Sequence, residues 1–100
     1  MEMLYRKLAE RKKTLPSSSY TTYLFEKGLD KILKKVGEEC TEVVIAAKNS
    51  DKKELICELS DLAYHAVVLM LETKIKPDEI FNELASRGIV EKKIKQEKMG

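Results

Sequence analysis

Apolar positions fall into helical phase along most of the chain. From Tyr23 to Lys48, Leu29, Ile32, Leu33, Val36, Cys40, Val43, Val44 and Ala47 recur at spacings of three and four, which predicts one long helix. A second stripe of Leu55, Leu59, Leu62, Ala66 and Leu69 predicts another, running to about Glu72. Between them, Asn49-Ser50-Asp51 is a polar break, and Asp51 with Glu54 three residues on has the form of a capping box. Nothing alternates with period two over a useful length. The expected fold is therefore all-α, an antiparallel hairpin of two long helices with shorter helices flanking it.

The flanks follow the same logic. Glu2 to Lys13 carries Leu4 and Leu8 four apart and ends in Arg11-Lys12-Lys13, cations that suit a helix C-terminus. Leu15-Pro16-Ser17-Ser18-Ser19-Tyr20-Thr21-Thr22 breaks that helix, with Ser19 or Thr21 as cap of the next. Pro77 suits the first position of a last helix and Asp78 and Glu79 its first turn, with Ile80, Phe81 and Leu84 turned inward and Gly88 at or near its end. Residues 91–100, rich in Lys and Glu, extend as a solvated helix or fray. Gly28 and Gly37 fall inside the first long pattern at about 1 kcal/mol each relative to Ala. A close approach of another backbone or a ligand would explain Gly37.

The run Ala66-Val67-Val68-Leu69-Met70-Leu71 is apolar all round, which implies burial on several sides. A chain of 100 residues buries only about two thirds of its unfolded surface, so a partner chain is the simplest source of cover. The expectation is a single domain over 1–100 that completes a helical bundle as a homodimer or a higher homo-oligomer.

Composition narrows the function classes. Nineteen Lys and Arg stand against seventeen Asp and Glu, so no global field favours nucleic acid or an anionic membrane. No apolar run approaches the roughly 18 residues of a bilayer span, and the N-terminus lacks the apolar core of a signal peptide. The expected location is cytoplasmic. Cys40 and Cys57 fall on the inward faces of the two long helices and read as small buried hydrophobes in preference to a disulfide or zinc site.

The chemistry lies in two carboxylate pairs, Glu39 with Glu42 and Glu58 with Asp61, each three residues apart and so on one helix face. If the chain reverses near Ser50, Glu42 meets Glu58 at roughly 12 Å from the turn and Glu39 meets Asp61 at roughly 16 Å. Four acids so close repel one another and raise each other's pKa unless a cation sits among them. Mg2+, or Mn2+, prefers such oxygen ligands and keeps waters that substrate phosphates can replace. The alternative, a solvated acidic face, stays open on pattern alone, because Glu-x-x-Glu and Glu-x-x-Asp are common.

Lys27, Lys31, Lys34 and Lys35 recur upstream on the same face. Lysine rows are usually solvated, forming weak pairs such as Lys34 with Glu38 and Lys35 with Glu39. Beside a bound metal they would instead hold a polyphosphate, with donors added by the Ser17 to Thr22 loop. His65, four after Asp61, reads as a satisfied core or rim histidine in preference to a ligand. A single histidine and no Glu-x-x-His disfavour a di-iron bundle.

Ser19-Tyr20-Thr21, Lys27 to Glu39, Glu42 to Lys48, Glu58-Leu59-Ser60-Asp61-Leu62 and Tyr64-His65 together resemble the phosphoribosyl-ATP pyrophosphohydrolase family of histidine biosynthesis. The likeness covers about residues 4 to 88. Its Glu-x-x-Glu and Glu-x-x-Asp signature is shared with the wider all-α nucleoside triphosphate pyrophosphohydrolase superfamily. The Ser-Tyr-Thr, Lys-Val-Gly-Glu-Glu and Tyr-His segments are narrower.

The resemblance implies an all-helical dimer that hydrolyses phosphoribosyl-ATP to phosphoribosyl-AMP and pyrophosphate with Mg2+. It carries metal binding onto Glu39, Glu42, Glu58 and Asp61, and makes Glu38 a further ligand or the group that orients the attacking water, with Glu39 beside it. Ser19, Tyr20, Thr21, Lys27, Lys31, Lys34 and Lys35 would hold the substrate. The rivals are a sibling enzyme that clears non-standard nucleoside triphosphates and a non-catalytic helical dimerisation module.

Overall fold

The computed structural model describes residues 1–14 and 19–90. The expectations for Leu15 to Ser18 and for the Lys-rich tail 91–100 lie outside the described residues. The remainder is five helices, α1 (Glu2–Thr14), α2 (Tyr20–Lys27), α3 (Leu29–Lys48), α4 (Lys52–Glu72) and α5 (Pro77–Ser86), with no strand among the described residues.

The expected hairpin is α3 packed along α4, the most extensive helix contact in the molecule. Its corner works as the sequence suggests. Asn49 caps α3, Ser50 turns through a left-handed φ of 57°, and the Asp51 carboxylate accepts the Glu54 N–H at 3.1 Å to start α4. Only this half of the expected capping box is made, with the Glu54 side chain free of the Asp51 backbone.

The long helix expected over 23–48 is in fact two. Gly28 adopts φ +89° and ψ −170°, closing α2 through its N–H to the Leu24 carbonyl and opening α3 by accepting the Ile32 N–H. An L side chain rarely takes that backbone conformation, so Gly28 is a hinge between helices and not a tolerated glycine inside one. Hydrophobic phase survives the break, which is why periodicity alone runs straight through it.

The core collects at one end of the hairpin. Leu8 of α1, Leu24 of α2 and Ile32 of α3 pack with Val67, Val68, Met70 and Leu71 of α4, all buried. The all-round apolar run thus finds its cover within the chain, under α1 and α2, and no partner is required there. Lys12 fastens this end. Its ammonium donates to the Leu71 carbonyl at 3.2 Å, sits 3.9 Å from Glu72 and lies over the Phe25 ring.

The other end is bare, with Val44, Ile45, Ile56 and Leu59 all exposed. Cys40 and Cys57 are exposed too, against expectation; the core residues of α1 and α2 gather instead around Ile32 and Val67 to Leu71. The last helix, α5, also departs from expectation, for none of its residues is buried and Ile80 stands open. Its apolar side lines a groove of about 410 Å³ shared with Met1 and Met70. Gly88, at φ +73°, ends the helix by a Schellman turn in which its own N–H and that of Ile89 reach back to Ala85 and Leu84.

Candidate active site

Three elements bring the chemistry together. The middle of α4 carries Glu58 and Asp61, the facing part of α3 carries Lys35, Glu38, Glu39 and Glu42, and the first turn of α2 carries Tyr20 and Thr21.

On α4, the ligand atoms of Cys57, Glu58 and Asp61 all lie within 4.8 Å of one another, and this is the one such group of three among the described residues. Cys57 was not anticipated there, although its place four before Asp61 puts it on the same face. Partial withdrawal from water raises the Glu58 carboxyl above its ordinary range, and the charges of Asp61, Glu39, Glu42 and Glu54 raise it further. Glu39 and Glu42 are thus near enough to act on Glu58, but they stand outside the tight group.

On α3, Lys35 supplies the countercharge. Its Nζ lies 3.3 Å from Glu38 and 3.8 Å from Glu39. Desolvation pulls the ammonium down, but the Glu38 hydrogen bond, with Tyr20, Glu38 and Glu39 as nearby charges, outweighs it and the pKa ends above the usual lysine value. Glu38 therefore pairs with Lys35, one turn back, and not with Lys34. Glu39 is the sheltered acid of the two, its side chain 12% exposed, while Glu38 and Glu42 are open.

The lysine row expected on one helix is divided by Gly28, Lys27 ending α2 and Lys31 opening the first turns of α3. Tyr23 reunites them, since both ammonium groups stand 5.8 Å from its ring centroid. Lys34 is exposed.

Ser19 is the N-cap, its hydroxyl accepting the N–H groups of Thr21 at 3.1 Å and Thr22 at 3.4 Å. Thr21 is buried and its hydroxyl pairs with that of Tyr64. Tyr20 is 45% exposed and its hydroxyl meets Nε2 of His65 at 2.9 Å. The Tyr20 ring also stacks near Tyr23 and Tyr64. His65 is buried and fully hydrogen-bonded, the satisfied histidine that the sequence suggests. These links between α2 and α4 have no signal in local spacing, because their partners lie 43 and 45 residues apart.

The donors at Glu58, Asp61, Glu39 and Glu42 suit a hard divalent cation, because an excess of carboxylate with one carboxyl pushed up calls for positive charge. Lys35 offsets that excess only on the Glu39 side.

A sequence model of the family described as phosphoribosyl-ATP pyrophosphohydrolase matches residues 1–88. Similar curated proteins include the phosphoribosyl-ATP pyrophosphatase of Clostridium novyi (strain NT), 56% identical over 87 residues that cover 87% of this chain and 79% of the relative. The phosphoribosyl-ATP pyrophosphatase of Bacillus mycoides (strain KBAB4) is 51% identical over 88 residues, 88% of this chain and 82% of that one. A longer protein is similar as well. The histidine biosynthesis bifunctional protein HisIE of Caldanaerobacter subterraneus subsp. tengcongensis is 55% identical over 87 residues, 87% of this chain but 42% of the relative.

Proposed function

The chain belongs to the phosphoribosyl-ATP pyrophosphohydrolase family, and we propose that its acidic hairpin is the centre at which phosphoribosyl-ATP is hydrolysed to phosphoribosyl-AMP and pyrophosphate. The reaction is a step of histidine biosynthesis, as the relatives' names indicate. The observation that carries the site assignment is the tight group of Cys57, Glu58 and Asp61, whose ligand atoms lie within 4.8 Å of one another; desolvation, and then the charges of Asp61, Glu39, Glu42 and Glu54, raise the Glu58 carboxyl at its centre.

Glu39, Glu42, Glu58 and Asp61 would hold Mg2+, with Mn2+ as a substitute. When bound, such an ion supplies charge neutralisation for the phosphates and lowers the pKa of a coordinated water. The protein's own groups do the rest. Lys27, Lys31 and Lys34 offer ammonium groups to the phosphate chain, and the Ser19 hydroxyl retains its proton for a phosphate oxygen, since its cap bonds use it only as acceptor. Glu38, exposed and leaning on Lys35, accepts a proton from the attacking water or orients it, with Glu39 behind. Positioning and electrostatics supply most of the acceleration in phosphoryl chemistry of this kind.

The working form we infer is a homodimer. Val44, Ile45, Ile56 and Leu59 leave the open end of the hairpin apolar, and no residue of α5 is buried. Two exposed free cysteines suit a reducing cytoplasm, which we take as its compartment. No helix of the described residues is long and apolar enough to cross a membrane.

The test is turnover. Purified protein with Mg2+ should release pyrophosphate from phosphoribosyl-ATP faster than from ATP, GTP or non-standard triphosphates, and Asp61→Ala should abolish release in a folded protein. Preference for the ordinary or non-standard triphosphates would defeat the substrate assignment. Equal activity in Asp61→Ala would defeat the site.

A further inference from the structure

His65 is placed where it can act on the reaction without touching it. Its Nδ1 lies 2.8 Å from the Asp61 backbone carbonyl. A carbonyl only accepts, so Nδ1 carries the proton and, in the uncharged ring, Nε2 presents its lone pair. The atom 2.9 Å from Nε2 is the Tyr20 hydroxyl, which must therefore donate. A phenol has one proton. With that proton given to His65, Tyr20 has none left for a phosphate oxygen and turns its lone pairs the other way.

Its surroundings are charged. Tyr20 is an electrostatic neighbour of both Lys35 and Glu39, and Lys35 in turn holds Glu38 and Glu39. Partial burial raises the phenol's pKa, Lys35 pulls it back in part, and Tyr64, Glu39 and Tyr23 add to the rise, so the hydroxyl keeps its proton at neutral pH. His65 itself is buried, and its ring meets Tyr20 and Tyr64 edge-on, so its orientation is fixed by packing as well as by hydrogen bonds.

We propose that His65 and Tyr20 form a positioning pair that ties the first turn of α2 to the Asp61 turn of α4, so that Tyr20 holds that turn of the site in place and does not itself donate to the substrate. The proposal rests on the functional reading above for its consequence, but its geometry is independent of that reading. It also separates Tyr20 from Ser19, whose hydroxyl only accepts in the cap and keeps its own proton to give.

The experiment has two arms. The chain has one histidine, so the ring nitrogens of His65 are read without ambiguity in a 15N-labelled sample of the full chain near neutral pH. The expected spectrum shows Nδ1 protonated and Nε2 unprotonated. A protonated Nε2 overturns the proposal. In the second arm, Tyr20→Phe, His65→Gln and the double variant are compared with the parent for Mn2+ affinity and for turnover of phosphoribosyl-ATP. Gln keeps an acceptor near the phenol and guards against a mere folding loss.

The expected result is non-additive. Tyr20→Phe weakens Mn2+ binding several-fold and lowers kcat by about tenfold with KM little changed, and the double variant is no worse than the poorer single variant. His65→Gln retains part of the activity that Tyr20→Phe loses. Multiplying effects, or a Tyr20→Phe change confined to KM, overturn the proposal. If the parent protein does not hydrolyse phosphoribosyl-ATP at all, the functional reading fails, and the spectrum and Mn2+ coupling still decide the pairing.

Discussion

Lys35 holds its ammonium 3.8 Å from the Glu39 carboxylate, one turn along α3, inside a field that is otherwise acidic. It thereby balances part of the charge that a metal would otherwise balance. Lys35→Met should act in opposite directions on two measurements. Mn2+ should bind the free protein more tightly, because a competing cation is gone. Turnover should fall by roughly 10- to 100-fold in kcat/KM, the range of a lost charge-assisted contact of about 1.5–3 kcal/mol. Isothermal titration and steady-state kinetics on the same preparation check both, and a parallel loss in the two would show that Lys35 only supports the fold.

Glu58 gives the pH prediction. Its pKa in the folded protein lies above the ordinary value, so the folded state binds the proton more tightly than the unfolded state. Its ionisation therefore destabilises the metal-free fold. That penalty is fully present above the folded pKa and disappears as pH falls below the unfolded value. Without metal, Glu58→Gln should melt at a higher temperature than the parent at pH 7, with the gap closing as pH drops through the carboxylate range. Adding Mg2+ should reverse the order, because the parent gains a ligand and the variant loses one.

Much of this arrangement is legible in spacing and some of it is not. The two acid pairs, the Asp51 cap and the corner at Ser50 follow from local rules that use residues three or four apart. Gly28 escapes those rules because hydrophobic phase continues across a kink, and only its backbone angles reveal a boundary. Cover for Val67 and Val68 comes from Leu8 and Leu24, tens of residues away, which no periodicity reports. The pairings of Tyr20 with His65 and Thr21 with Tyr64 are hidden for the same reason.

Gly28, between α2 and α3, and Gly37, inside α3, should answer the same substitution with opposite signs. Gly28 has a backbone conformation that a Cβ strains, so Gly28→Ala should cost about 1–3 kcal/mol and loosen Lys27 from Lys31. Gly37 lies inside α3, and nothing among the described residues outside its own helix turn comes within 4 Å of where a Cβ would go. Gly37→Ala should therefore stabilise the protein by about 1 kcal/mol. Chemical denaturation checks both. A stabilised Gly37→Ala protein with reduced turnover would mean that substrate or a second subunit uses the space beside Glu38.

Thr22 offers the clearest change away from the chemistry. Its side chain is buried beside the α2 cap, and its hydroxyl has no hydrogen-bond partner among the described residues. The backbone N–H of the same residue is already served by Ser19, so the cap does not need that hydroxyl. An unpaired buried hydroxyl costs on the order of 1–3 kcal/mol, and valine has nearly its shape without the polar atom. Thr22→Val should raise stability by about 1 kcal/mol in denaturant titration, with turnover unchanged because Ser19, Tyr20 and Thr21 keep their partners. A loss of stability would mean that the hydroxyl binds a buried water, and a bridging density in a high-resolution crystal structure would locate it.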